Sequence, residues 1–284
     1  MKAFSGLEQS MHFLNRAHST VPTHPITGPA AWRSEDISCF RDQIYQLTVD
    51  EIATIETLLD RVSAHGAPLS DIGPHDWDDP GLETIVHWCR ERLFKGRGFA
   101  ALSGVPIERW PLVRSSLFLA VLGSQFGRLG LRNPRGGVIG RVQNLPIRSG
   151  QPHARNYITD REFRPHCDAA DLLGLLAIRP AAHHKGQLKT IYISDYFRGA
   201  ERHSGYAIDD DAKALYVADE RLATDPAFEL RFDLQAGDVL LLNNHVMLHA
   251  RDSFEDSPSA ERLLLRFLVA VDHGPGSPDR EVNI

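Results

Sequence analysis

The chain reads as a mainly β protein with flanking helices, a double-stranded β-helix or jelly roll of the cupin-like kind. Two observations predict this: short apolar runs bounded by Gly, Pro, Asn and Asp fill the second half, and amphipathic helical patterns lie mostly in the first. Thr20 to Pro29 is a Pro-rich approach segment. Thr48 with Glu51 forms a capping box, and Ile52, Ile55, Leu58, Leu59 and Val62 recur at helical spacing behind it. A second helix is predicted from Asp79-Pro80 to about Phe94, stopped by Gly96. Phe99 to Ser103 reads as a strand, Pro111 to Leu122 as a third helix, and Asn133 to Gly137 as a turn into a strand over Val138 to Val142.

Further strands are expected at 172–178, 189–193, 228–232, 239–242, 246–249 and 263–271. A helix is predicted over 212–222 with Asp209-Asp210-Asp211 at its positive end, and Gly237-Asp238 is a hairpin turn signal. Neither Gly96-Arg97-Gly98 nor Arg135-Gly136-Gly137 has the strand-loop-helix spacing of a phosphate cradle. We expect one domain over 1–284, a helical extension (1–95) packed on a jelly-roll core (96–284).

Composition narrows the function classes. Hydrophobic residues make 42% and charged residues 24% of 284, ordinary for a globular protein. A net charge of -6 argues against broad nucleic-acid binding, which relies on clustered Lys and Arg. The amino-terminal stretch lacks the apolar core of a signal peptide, and no run approaches the ~20 apolar residues of a membrane span, so the expectation is a cytoplasmic protein without a membrane. Cys39, Cys89 and Cys167 are far apart, with no Cys-x-x-Cys, which suggests neither a zinc ribbon nor a disulfide framework.

The chemistry concentrates in His166-Cys167-Asp168 and in His249. On an extended strand, residues two apart point the same way, so His166 and Asp168 can grip one ion while Cys167 turns aside as a small half-buried hydrophobe. Two imidazoles and one carboxylate leave the opposite face of an ion open, the pattern of non-haem Fe(II) oxygenases. His-x-Asp alone is weak among 14 His and 37 acidic residues, so context must carry the reading. Downstream, Arg266 interrupts an apolar strand, and a guanidinium there is costly to desolvate unless an anion meets it. Arg262 is four residues earlier and shares its face, which suggests an acidic co-substrate. The bland readings are a salt bridge to a buried acid for Arg266 and an exposed pair with Glu261 for Arg262. His245 is expected as a satisfied or pocket-lining residue on the strand face of His249, and His183-His184 as a solvated turn.

Several ordered stretches carry a family resemblance: Gly28 to Ser34, Gly96 to Pro106, Arg155 to Thr159, Phe163 to Gly174, and Gly237-Asp238 through Asn243-Asn244-His245 to His249-Ala250-Arg251 and Phe254 to Asp256. They resemble the taurine dioxygenase and clavaminate synthase group of Fe(II)/2-oxoglutarate-dependent oxygenases. That resemblance implies His166, Asp168 and His249 as iron ligands. It also implies Arg262 on the distal carboxylate of 2-oxoglutarate, and Arg266 reaching the co-substrate or substrate. The implied reaction uses Fe(II), 2-oxoglutarate and O2, with decarboxylation to succinate and CO2, and hydroxylates or desaturates a small polar metabolite such as an amino acid or sulfonate. An intact Asp168 argues against the related halogenases, which place a small residue there.

Two departures stand out. Lys185-Gly186-Gln187-Leu188 lacks the Ser or Thr hydroxyl that helps hold 2-oxoglutarate in the family, and Thr190 would replace it only if the strand is shifted. The segment after Lys189 is also shorter than in close relatives, which implies an open pocket, one covered by a second subunit of a homo-oligomer, or an impaired one. Two alternatives therefore stay open: a jelly-roll enzyme using Zn or Mn to activate water, and a metal-binding member with lost or altered turnover.

Overall fold

The structure, a computed structural model, describes residues 3–15, 27–133, 135–144, 163–180, 183–184, 188–189, 221–256 and 261–271. Its strands are β1 (Ile44–Gln46), β2 (Phe99–Ser103), β3 (Arg128–Leu129), β4 (Gly140–Gln143), β5 (Phe163–His166), β6 (Leu172–Arg179), β7 (His183–His184), β8 (Leu188–Lys189), β9 (Val239–Asn243), β10 (His249–Arg251), β11 (Phe254–Glu255) and β12 (Leu263–Ala270). A large sheet runs β1-β2-β9-β6-β12-β3, with β4 also on β12; a small sheet runs β5-β10-β8, and β11 pairs β7. Only β1 with β2 is parallel among these pairings. The large sheet is thus mixed, and among the described residues it does not close on itself.

Every residue of β12 is buried because both faces of the large sheet are covered, and such a strand reads as a continuous apolar run. Leu265, Phe267 and Val269 join one apolar cluster with Ile55, Leu58, Leu59, Phe118 and Leu122 of the helices. Leu264 and Leu268 join a second cluster with Leu173, Leu175, Leu240 and Leu242 on the opposite face. Period-two alternation therefore puts Arg266 on that second face, between Leu264 and Leu268. Gly174, the register partner of Phe267, is small of necessity: a Cβ there would lie 2.2 Å from the Phe267 ring.

The helices are α1 (Gly6–Leu14), α2 (Val49–Ala64), α3 (Glu83–Arg90) and α4 (Leu112–Ser124). The α2 capping box forms as predicted, the Thr48 hydroxyl accepting from the Glu51 N–H (3.2 Å) and the Glu51 carboxylate from the Thr48 N–H (2.8 Å). Ile55, Leu58, Leu59 and Val62 are its buried stripe. Helix α3 begins at Glu83 rather than Asp79, because the Asp79 carboxylate takes the Gly81 N–H (2.9 Å) and its carbonyl the Leu82 N–H (3.0 Å), making a turn instead. A π-helical turn, Glu91–Lys95, completes the predicted length. Helix α1 was not foreseen, although Ser5 and Glu8 cap it reciprocally.

Two expected strands are not strands. Pro226–Phe228 is a 3-10 turn initiated by Asp225, and residues 229–232 pair with no strand, although Leu230 and Phe232 are buried and Phe232 stacks on Phe40 at 3.6 Å. Residues 244–246 form a turn in which Asn243 accepts from the N–H groups of His245 (3.0 Å) and Met247 (2.9 Å), so β10 starts only at His249. His183–His184 form a strand rather than a turn, paired with β11. The helix predicted over 212–222 lies mostly outside the described residues, as do 190–193, though 221–223 are helical. Among the described residues no helix is long and apolar enough to cross a membrane.

Candidate metal centre

His166, the last residue of β5, and His249, the first of β10, are direct antiparallel partners. Residues opposite each other in such a pair project to one face, with Cβ atoms ~4.5–5.5 Å apart. Their rings accordingly lie 4.1 Å apart between centroids, both imidazoles buried. Asp168 lies beyond the end of β5, so strand alternation alone does not aim it. A bend does, in which the Ala170 N–H donates to the Asp168 carbonyl at 2.8 Å. Its Oδ2 comes within 4.0 Å of His249 Nε2.

Arg266 donates through Nη1 to Asp168 Oδ2 at 3.1 Å and lies 3.5 Å from Oδ1. The anion that this strand cation requires is thus Asp168 itself. Arg132 adds a further positive field at the carboxylate; its stem packs 3.7 Å from the Cβ position of Gly140, the β4 partner of Arg266. Burial would raise the Asp168 carboxyl, but Arg266, His249, His166 and Arg132 together outweigh it and hold the group at about 2. Burial first, then His166, pushes the His249 imidazole well below its ordinary range.

Both shifts favour the forms that ligate a divalent ion, a neutral imidazole and an ionised carboxylate. By donor chemistry these three residues fit such an ion. Among the described residues, however, no three His, Cys, Asp or Glu side chains stand close enough to make a formed cage, and the Asp168 carboxylate is engaged by Arg266. Cys167 is half-buried, and burial followed by the Asp168 charge raises its thiol, so it stays protonated.

A second cluster forms around Phe254. The guanidinium of Arg251 lies 4.8 Å from the ring centroid and that of Arg262 5.0 Å, and each residue is 6% exposed. The exposed pairing of Arg262 with Glu261 is therefore excluded. Burial and the neighbouring Arg251 push Arg262 down to about 9, still cationic at neutral pH. Its Nη1 is buried with no hydrogen-bond partner among the described residues, although its backbone N–H donates to Asp256 Oδ1 at 2.7 Å. A carboxylate matches such a buried fork. Thr190 lies outside the described residues, and so do His153, His203 and His273.

Sequence reasoning gave Arg251 no role, yet alternation could have found it, two residues past His249 on β10. Arg132 carries no comparable signal, because a loop brings it in. His245 is satisfied, its Nε2 2.7 Å from Asp171 Oδ1, and the turn before β10 removes it from the strand face of His249.

Fold and side-chain grouping together define a mainly β protein with flanking helices in which His166, His249 and Asp168 lie close together. The family model described as taurine catabolism dioxygenase TauD, TfdA family matches residues 182–268. FR-33289 synthase of Streptomyces rubellomurinus (strain ATCC 31215) is 21% identical over 314 residues, covering 89% of this chain and 93% of that protein. That span exceeds the 284 residues here, so the relative carries residues without a counterpart in this chain. Asparagine oxygenase, solved with Fe(II), 2S,3S-3-hydroxyasparagine and succinate, superposes with a TM-score of 0.59 at 15% identity over 80% of this chain and 93% of that one. The non-heme iron oxygenase OrfP, solved with Fe and alpha-ketoglutaric acid, superposes with a TM-score of 0.58 at 20% identity over 81% and 94%. The match over residues 182–268 and the shared fold show what this chain is similar to, the TauD, TfdA oxygenases.

Proposed function

We propose that this chain is a non-haem Fe(II)- and 2-oxoglutarate-dependent oxygenase that hydroxylates or desaturates a small polar metabolite, an amino acid in the first instance. The observation that carries the reading is the convergence of His166, His249 and Asp168 beside Arg266. Similar folds solved with hydroxyasparagine and with (3S)-hydroxy-L-Arg support an amino-acid substrate. The net charge of -6 supports a small-molecule enzyme rather than a nucleic-acid binder.

His166, His249 and Asp168 would hold Fe(II), which with 2-oxoglutarate and O2 supplies the oxidising chemistry and leaves succinate and CO2. The residues of this chain bind, orient and exclude water. Arg262, buried with an open donor, would take the distal carboxylate of the keto acid. Phe254 forms the apolar wall against which Arg262 and Arg251 are held. Arg266 keeps Asp168 ionised and aimed, and would be shared with co-substrate or substrate. No protein general base is needed, since none of these groups must take a substrate proton. Thr190 would supply the hydroxyl missing from Leu188.

The test is to add Fe(II) and 2-oxoglutarate without oxygen, record the visible charge-transfer band of the chelate, then admit O2 and quantify succinate against a panel of amino and sulfonic acids. A band with substrate-stimulated succinate supports the reading. Hydrolysis with Zn and no band would replace it with water activation.

A further inference from the structure

Three residues beyond Asp168, a second carboxylate is placed very differently. Asp171 is 2% exposed, and its Oδ1 lies 2.7 Å from His245 Nε2. Its Oδ2 accepts from the Val271 N–H at 2.7 Å and sits 3.2 Å from His12 Nε2. The Asp171 main chain adds two bonds, its N–H donating to the Val269 carbonyl (3.1 Å) and its carbonyl accepting from the Asn244 N–H (2.9 Å). The Asn244 side chain also donates to the Ala170 carbonyl at 2.8 Å.

The segments joined here are those that carry the candidate site. Residues 166–171 bring His166 and Asp168, the turn at 244–246 leads into His249, and the end of β12 follows Arg266. Helix α1 closes the outer side: the Phe13 ring lies 4.9 Å from the His245 ring, and the Phe4 backbone is tied to Leu129 and Leu131 at 2.9 and 2.7 Å. Hydrogen bonds to a buried carboxyl group are directional, so this node fixes the spacing of those segments more firmly than apolar packing would.

We propose that Asp171 and His245 are a positioning pair that sets the separation of the metal-ligand segments, with α1 as its cover. The inference rests on the oxygenase reading above. It assigns the pair no contact with metal or substrate; the pair acts through the backbone that leads to His249 and Asp168. Partners outside the ligand set commonly change metal affinity ~10–100-fold when removed.

Calorimetric titration of the full chain with Mn(II) tests this. His245→Ala is expected to weaken Mn(II) binding about tenfold or more, while His245→Gln, which keeps a donor, recovers most of the affinity. A purely structural residue would instead lower the unfolding temperature of both variants while leaving Mn(II) affinity alone, and that result overturns the proposal. Should His245→Ala not fold, the isosteric Asp171→Asn decides in its place: weakened Mn(II) supports the pair, and wild-type affinity overturns it. Wild-type protein that binds no Mn(II) would overturn the oxygenase reading and this inference together. Tight binding by wild type and His245→Ala alike would sink the positioning role only.

Discussion

Asp168 and Asp171 are the same residue type on one short segment, and the two regions around them differ in how their lone pairs are spent. Around Asp171 the donors are a ring nitrogen and a backbone N–H, both at 2.7 Å, and the side chain is 2% exposed. Around Asp168 the contacts are longer, 3.1 Å to Arg266 and 4.0 Å to His249, and the side chain is 19% exposed. The first carboxylate is committed to holding strands together. The second is held ionised by its pairing with Arg266 and is the more exposed of the two. On the proposed oxygenase reading, function would depend on the less satisfied of two neighbouring acids.

Removing the looser acid breaks the contrast most severely. Asp168→Ala and His166→Ala should each abolish Mn(II) binding in calorimetry and the anaerobic Fe(II)/2-oxoglutarate band, a larger loss than the ~10-fold expected at the Asp171 node. If Asp171→Asn proved the more damaging to metal affinity, the division of labour would be inverted. Next in size is Arg262→Ala, expected to weaken 2-oxoglutarate by about 2–4 kcal/mol, measured as a shift in the titration of the band. Arg266→Ala should cost less co-substrate affinity, because Arg266 is already paired with Asp168. The reverse order would mean that the two arginines exchange roles.

How much of this was legible in the sequence follows from which signals are local. The β12 run and the Thr48 cap are local patterns, of period two or a capping motif, and they read correctly. Alternation was carried one step too far at Asp168, because β5 stops at His166, and again at His245, because Asn243 starts a polar turn between two apolar runs. The anion for Arg266 could not be read, since a strand pattern shows that a cation needs a partner but not whether the protein or a ligand provides it. Arg132 and the α1 contacts with Asp171 depend on loops and a terminus folding back, and nothing in local spacing encodes that.

A pH series sharpens the comparison at smaller scale. Burial lowers His249 below its ordinary 6.5, so the unfolded chain takes up the proton first, and stability of the metal-free protein should fall as pH drops from about 6.5. Asp168, held at about 2 against an ordinary 3.8, adds stability that is present above 3.8 and lost as pH falls through about 2. In chemical denaturation the loss from His249 should begin at the higher pH. His249→Gln should flatten the slope just below pH 6.5; an unchanged slope there would remove His249 as its source.

The smallest effect is expected at Cys167, which lies between His166 and Asp168 yet is half-buried with its thiol raised by burial and by Asp168. A protonated thiol is a poor ligand, and the backbone places its neighbours, not its own sulfur, beside His249. Cys167→Ala should therefore cost at most ~1 kcal/mol of stability through lost packing and leave Mn(II) affinity and the Fe(II)/2-oxoglutarate band within twofold of wild type. A loss matching His166→Ala would place the sulfur on the ligand side. The grouping of two imidazoles with Asp168 would then need to be rebuilt around a thiolate.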